Sequence, residues 1–134
     1  MLNPIRSFWI IALLVLIPLA AIADLATFKS QYSEKMQQFQ HAMKTVEMHH
    51  YAKELRQFCQ EYLLKLEKKM AKKSAGKKLT REQQDWWAAY QQRVKQEIEI
   101  ENKNKGTISS VNLEVFKAKQ IKTRIESIYQ NYSE

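Results

Sequence analysis

Residues 24–71 read DLATFKSQYSEKMQQFQHAMKTVEMHHYAKELRQFCQEYLLKLEKKMA, without a glycine or a proline. Apolar side chains recur at Leu25, Phe28, Tyr32, Met36, Phe39, Met43, Val46, Tyr51, Leu55, Phe58, Tyr62, Leu66 and Met70. The steps are almost all three or four, so these residues share one face of a helix, and strand alternation is absent. One continuous or kinked helix over 24–73 would be about 75 Å long, about twice its partners. A turn at Glu47-Met48-His49-His50 would instead give four helices of similar length. No Gly, Pro, Asn, Asp or Ser marks that turn, so propensity favours the long helix. Half of its stripe would then lack a partner, which a second copy of the chain would cover.

Working outward, Lys72-Lys73-Ser74-Ala75-Gly76-Lys77-Lys78 breaks the pattern and reads as a loop. Leu79-Thr80-Arg81-Glu82-Gln83 restarts it. Thr80 suits an N-cap, with Gln83 three residues on completing a capping box, and Glu82 and Asp85 add negative charge to that first turn. Trp87, Tyr90, Val94 and Ile98 form the next inward stripe. Asn102-Lys103-Asn104-Lys105-Gly106 is a second break. Ser109 or Ser110 then caps a last helix with the stripe Val111, Val115, Ala118, Ile121, Ile125, Ile128 and Tyr132. Short loops make the last two helices an antiparallel hairpin. The expected fold is all-α: a long first helix plus a C-terminal helical hairpin, coiled-coil-like, with a four-helix bundle as the alternative. A hairpin folded near Gly76 would set Glu97 opposite Arg56 and Glu101 near Lys53.

Residues 1–23 carry the marks of an export signal. Arg6 supplies the positive charge, residues 8–17 an unbroken apolar run, and Ala21-Ile22-Ala23 a small-x-small cleavage site. The apolar stretch 8–23 has 16 residues, against the roughly 20 that span a bilayer. A cleaved signal, with 24–134 as one periplasmic or secreted domain, is therefore the first reading, and a retained membrane anchor the second.

The whole chain of 134 residues holds 22 Lys+Arg against 14 Asp+Glu, and loss of Arg6 with the signal hardly changes that excess. Two glycines exclude a dinucleotide fingerprint or a phosphate loop. The single cysteine excludes an internal disulfide framework. No recognised nucleophile or acid/base motif is present, so no enzyme activity and no cofactor are expected. Cys59, beside Phe58 and Tyr62, reads as a small buried residue, with an intermolecular disulfide as the alternative.

Three clusters remain as binding candidates. Lys65, Lys68, Lys69, Lys72, Lys73, Lys77 and Lys78 lie within 14 residues, with Glu67 the only acid among them. A helix C-terminus explains such lysines structurally; a docking patch for an acidic protein or an anionic envelope component explains them functionally. Nucleic acid is disfavoured by export. Trp86, about 100° around the helix from Trp87, is a candidate contact at the end of the bundle. His41, His49 and His50, with Met36, Met43 and Met48, invite a weak metal reading, although no two histidines sit at i,i+4.

Leu79-Thr80-Arg81-Glu82-Gln83 is also similar to the LTxxQ motif of the periplasmic CpxP/Spy group of small helical stress proteins. That group usually carries two such motifs, and this chain has one. The resemblance implies a basic helical dimer that holds unfolded client proteins without ATP. The expected function is therefore an exported, non-enzymatic interaction protein that binds an acidic or unfolded partner through its basic surface. A membrane-anchored structural protein and a low-affinity metal-binding periplasmic protein are the alternatives.

Overall fold

In the computed structural model the chain forms four helices: α1 (Pro4–His41), α2 (Thr45–Ala71), α3 (Gly76–Asn104) and α4 (Ser109–Asn131). Residues 4–73, 76–104, 106 and 108–132 are described, with the backbone alone for 4–22, 76 and 104. The export-signal or anchor reading of 1–23 rests on side chains that, apart from Ala23, lie outside the described residues. No helix among the described residues is long and apolar enough to cross a membrane.

The single long helix over 24–73 is not formed. The chain breaks at residues 42–44, before the turn weighed at 47–50. The Ala42 amide closes the last turn of α1 on the Phe39 carbonyl (3.1 Å). Lys44 is extended, and α2 begins after it. No turn-forming residue marks this corner; tertiary packing forces it. Once α1 folds back, Phe28 rests against Phe58 and Tyr62, with ring centroids 5.5 and 4.6 Å apart. Burying a ring of that size contributes about 1.5–3 kcal/mol, more than the modest cost of breaking a helix at an ordinary residue. Ala42 is small enough to be buried in the corner, while Met43 and Val46, expected in the stripe, are 90% and 82% exposed. Apart from those two, the stripe residues from Leu25 to Met70 are buried or half-buried by the chain's own helices.

Successive helices run antiparallel, so α2 and α4 are parallel. They make the central seam, with α1 and α3 on either side of it. Among the described residues α1 and α3 do not pack on each other. From α2 the seam takes Leu55, Cys59, Leu63 and Leu66, and from α4 Ala118, Ile121, Ile125 and Ile128. Phe28 and Tyr32 close it on the α1 side, Leu79 and Tyr90 on the α3 side. Because α2 touches three helices, its apolar arc is wide: Phe58 and Tyr62 serve α1 while Cys59 and Leu63 serve the seam.

The parallel seam also decides the ion pairs. Arg56 Nε donates to Glu114 on α4 (2.7 Å), and its Nη1 donates to Gln60 (3.0 Å). Among the described residues no ion pair joins Glu97 to Arg56 or Glu101 to Lys53. Glu101 is instead buried in the last turn of α3, where the Ser109 hydroxyl donates to its carbonyl (3.3 Å). Ser109 is the first residue of α4 rather than a side-chain cap. Thr80 likewise stands within a helix rather than at its N-cap, because α3 already begins at Gly76.

Cys59 lies fully buried in the seam, so the intermolecular disulfide would require the bundle to open. Burial pushes its thiol from 9.0 up to about 12, with Lys122 opposing the shift. Burial likewise raises Tyr32 from 10.0 to about 12, with smaller contributions from Cys59 and Glu126. The folded chain therefore keeps protons that the unfolded chain releases, first above pH 9 and then above pH 10. Stability from these groups is full below pH 9 and is lost as pH rises toward 12. Urea midpoints should stay flat approaching pH 9 and fall beyond it, with a shallower onset in Cys59→Ala. Native Cys59 should resist thiol reagents at neutral pH and react on unfolding; rapid native labelling would contradict its place in the seam.

Candidate interaction surface

The end of the bundle where α2 stops and α3 starts carries the basic cluster. Lys65, Lys68, Lys69, Lys72, Lys73, Lys77 and Lys78 are all exposed there. Those on α2 sit at or near its C-terminus, where the helix dipole favours cations. Lys77 and Lys78 do not share that explanation. The start of α3 at Gly76 puts both in its first turn, which holds no acidic residue. A cation in that place works against the dipole by about 0.3–1 kcal/mol. The expected loop over 72–78 would have hidden this; α3 already starts at Gly76. Glu82 and Asp85, expected to serve the first turn, lie more than a turn further along.

Glu67, the one acid within the cluster, faces inward. Its Oε1 accepts from Gln83 Nε2 (2.5 Å) and from the indole Nε1 of Trp87 (2.6 Å). Gln83 is 5% exposed, and its Oε1 in turn accepts from Arg124 Nε on α4. This network ties α2, α3 and α4 together at the basic end. Burial lowers the Arg124 pKa, against the opposing charges of Glu82 and Glu67. With Glu67 turned inward, Lys69 pairs instead with Asp24 of α1 at 3.6 Å. Beside the network lies a cleft of about 280 Å³ floored by Leu79, Ala71 and Trp87 and edged by Lys68.

Trp86 is not brought into that cleft; Trp87 lines it. Trp86 instead stacks on Tyr90, with centroids 5.1 Å apart, and lies under the Arg93 guanidinium at 5.7 Å. Half-buried against the core, it is a packing residue with one covered face. On the other side of α2, Tyr62 and Tyr129 share a hydrogen bond of 2.6 Å. They line a second cleft of about 240 Å³ with Asp24, Lys65 and Lys69. Burial and the Tyr62 hydroxyl raise the Tyr129 pKa.

The histidines lie toward the opposite end, at the close of α1 and in the first turns of α2. His50 Nε2 is 3.2 Å from Glu54. Among the described residues no three His, Cys, Asp or Glu side chains are gathered to hold a metal. The corner at 42–44 also separates Met36, packed on the core, from exposed Met43. Met36, Met43 and His50, each seven residues from the next, therefore do not share one helical face.

The Glu67–Gln83–Trp87–Arg124 network was not anticipated from the sequence. Its trace there is the i,i+4 spacing of Gln83 and Trp87, which gives two donors one face, and a lone acid among lysines. No protein-family model, curated protein or solved structure matches the chain. In the LTxxQ-like segment, Leu79 and Gln83 are both buried, so each has a structural role here.

Glu67→Ala should leave the Trp87 and Gln83 donors without their acceptor and cost about 1–3 kcal/mol, read as a lower urea midpoint. Glu67→Gln, which keeps an acceptor oxygen, should cost less. Equal losses in the two variants would show that charge, rather than the hydrogen bonds, holds this corner.

Proposed function

We propose that this chain is a non-enzymatic helical interaction protein of the cell envelope, whose basic end docks on an anionic partner. The observation that carries the reading is the placement of Lys77 and Lys78 in the first turn of α3 while Glu67 turns inward. A solvated helix end selected for stability alone would put acids in that turn and leave Glu67 among the lysines. The opposite arrangement leaves a concentrated positive field on one face, which attracts and orients an anionic surface. The export-signal pattern of residues 1–23 supports the envelope location. A mass measurement on protein isolated from cells tests it, through a mature N-terminus at Asp24.

The double variant Lys77→Glu/Lys78→Glu separates function from stability. It should stabilise the fold by about 0.5–1 kcal/mol by complementing the α3 dipole, and it should weaken calorimetric binding to polyglutamate by about tenfold or more. Reversal of Lys53 and Lys95, roughly 25 Å away along the helices, should weaken binding far less. Wild-type binding should fade as salt rises to about 0.3 M. Equal loss from both double variants would sink the localised surface. Aggregation assays with a denatured model protein in the same salt series tell an unfolded client from a folded acidic partner.

A further inference from the structure

The chain that precedes the bundle joins it at the basic end. The α1 helix is unbroken from Pro4 to His41, and its Asp24 carboxylate lies 3.6 Å from Lys69 near the C-terminus of α2. Residues 8–23, immediately before Asp24, contain no charged or hydrogen-bonding side chain other than the indole of Trp9. The level at which this apolar run stops is therefore the level of Lys69. Lys65 sits about one turn, or 5.4 Å, further into the bundle. Lys68 shares the last turns of α2, Lys72 follows that helix, and Lys77 and Lys78 open the next one. The cluster thus lies within roughly a Debye length of the plane through Asp24.

Resting on the proposed function, we propose that the anionic partner is a lipid bilayer, and that the basic end of the bundle seats on its headgroups with Asp24 at the interface. A run of apolar residues ending at a ring of exposed lysines is the arrangement that places ammonium groups among phosphates while the apolar residues meet the acyl chains. A soluble acidic protein would be bound equally well by lysines at either end of the bundle. Only a membrane rewards their coincidence with the junction to the apolar run. The contact needs no spanning helix. Retained, residues 8–23 hold the chain to the membrane; removed after Ala23, the same lysines make a peripheral, salt-sensitive contact.

The test uses the full chain reconstituted with vesicles of phosphatidylcholine, alone or with about one-third phosphatidylglycerol. Lysines are labelled by a brief pulse of acetylating reagent and read by peptide mass spectrometry. Acetylation of Lys65, Lys68, Lys69, Lys72 and Lys77 should fall about fivefold or more on the anionic vesicles. Lys53, Lys95 and Lys103 toward the other end should label equally on both, and high salt should abolish the difference. Equal labelling of the basic end on the two vesicle types, or equal protection of both ends, overturns the proposal. A third arm adds polyglutamate to the neutral vesicles. Protection there without protection on anionic lipid removes the membrane and leaves the anionic-partner reading standing; protection in neither arm removes both.

Discussion

The parallel contact between α2 and α4 is the constraint from which the rest of the bundle follows. Leu55, Cys59 and Leu63 on one side and Ile121, Ile125 and Ile128 on the other are buried essentially completely, each larger side chain contributing about 1.5–3 kcal/mol. Two parallel helices need a crossing element of full length between them, and α3 is that element. With the seam occupied, α1 and α3 can reach the core only from opposite sides. The corner at 42–44, the wide apolar arc of α2 and the absence of packing between α1 and α3 among the described residues are all consequences. So is the Arg56–Glu114 pair, since parallel helices bring their early residues together.

The same seam explains why Glu67 does not offset the basic end. Glu67 stands where α2, α3 and α4 converge, and a carboxylate near that junction is costly unless its lone pairs are satisfied. Gln83 and Trp87 both donate to its Oε1 from α3, and Arg124 reaches Gln83 from α4. The network is favoured by the hydrogen bonds that the junction requires, and it withdraws the local acid from the surface. Packing and charge are thus linked through one side chain. At the surface the lysines retain Asp24 and the C-terminal dipole of α2 as their favourable fields, while the N-terminal dipole of α3 opposes two of them.

Helix type and the core of α4 were legible because they depend on local spacing: Val111, Ala118, Ile121, Ile125 and Ile128 were all marked and all are buried. The corner at 42–44 was not legible. Ala42, Met43 and Lys44 are compatible with a continuing helix, and contacts between residues far apart in sequence, Phe28 with Phe58 and Tyr62 among them, reverse the chain there. Thr80 misled for the opposite reason. Thr and Gln three apart are a local capping signal, but Leu79 and Gln83 are claimed by the interior, so the helix starts one turn earlier. The lysine cluster was visible as composition. Its meaning depended on where α3 starts and which way Glu67 points, and both are tertiary facts.

A bundle of this size tolerates such an end only at some cost to itself. Like charges crowded on adjoining helix termini repel, and an exposed pair such as Lys69–Asp24 returns about 0–1 kcal/mol. An anionic surface that engages the lysines relieves the repulsion, and because the unfolded chain cannot present them in one plane, it favours the folded state over the unfolded one. Docking and folding are therefore coupled in sign: what weakens the free bundle strengthens the bound one. The coupling is greatest at Lys77 and Lys78, where the helix dipole and the neighbouring lysines act in the same direction. On the proposed docking, neutralising those two residues would relieve the free protein and remove the feature that orients an anionic partner, so stability of the isolated bundle and docking would be opposed at this turn.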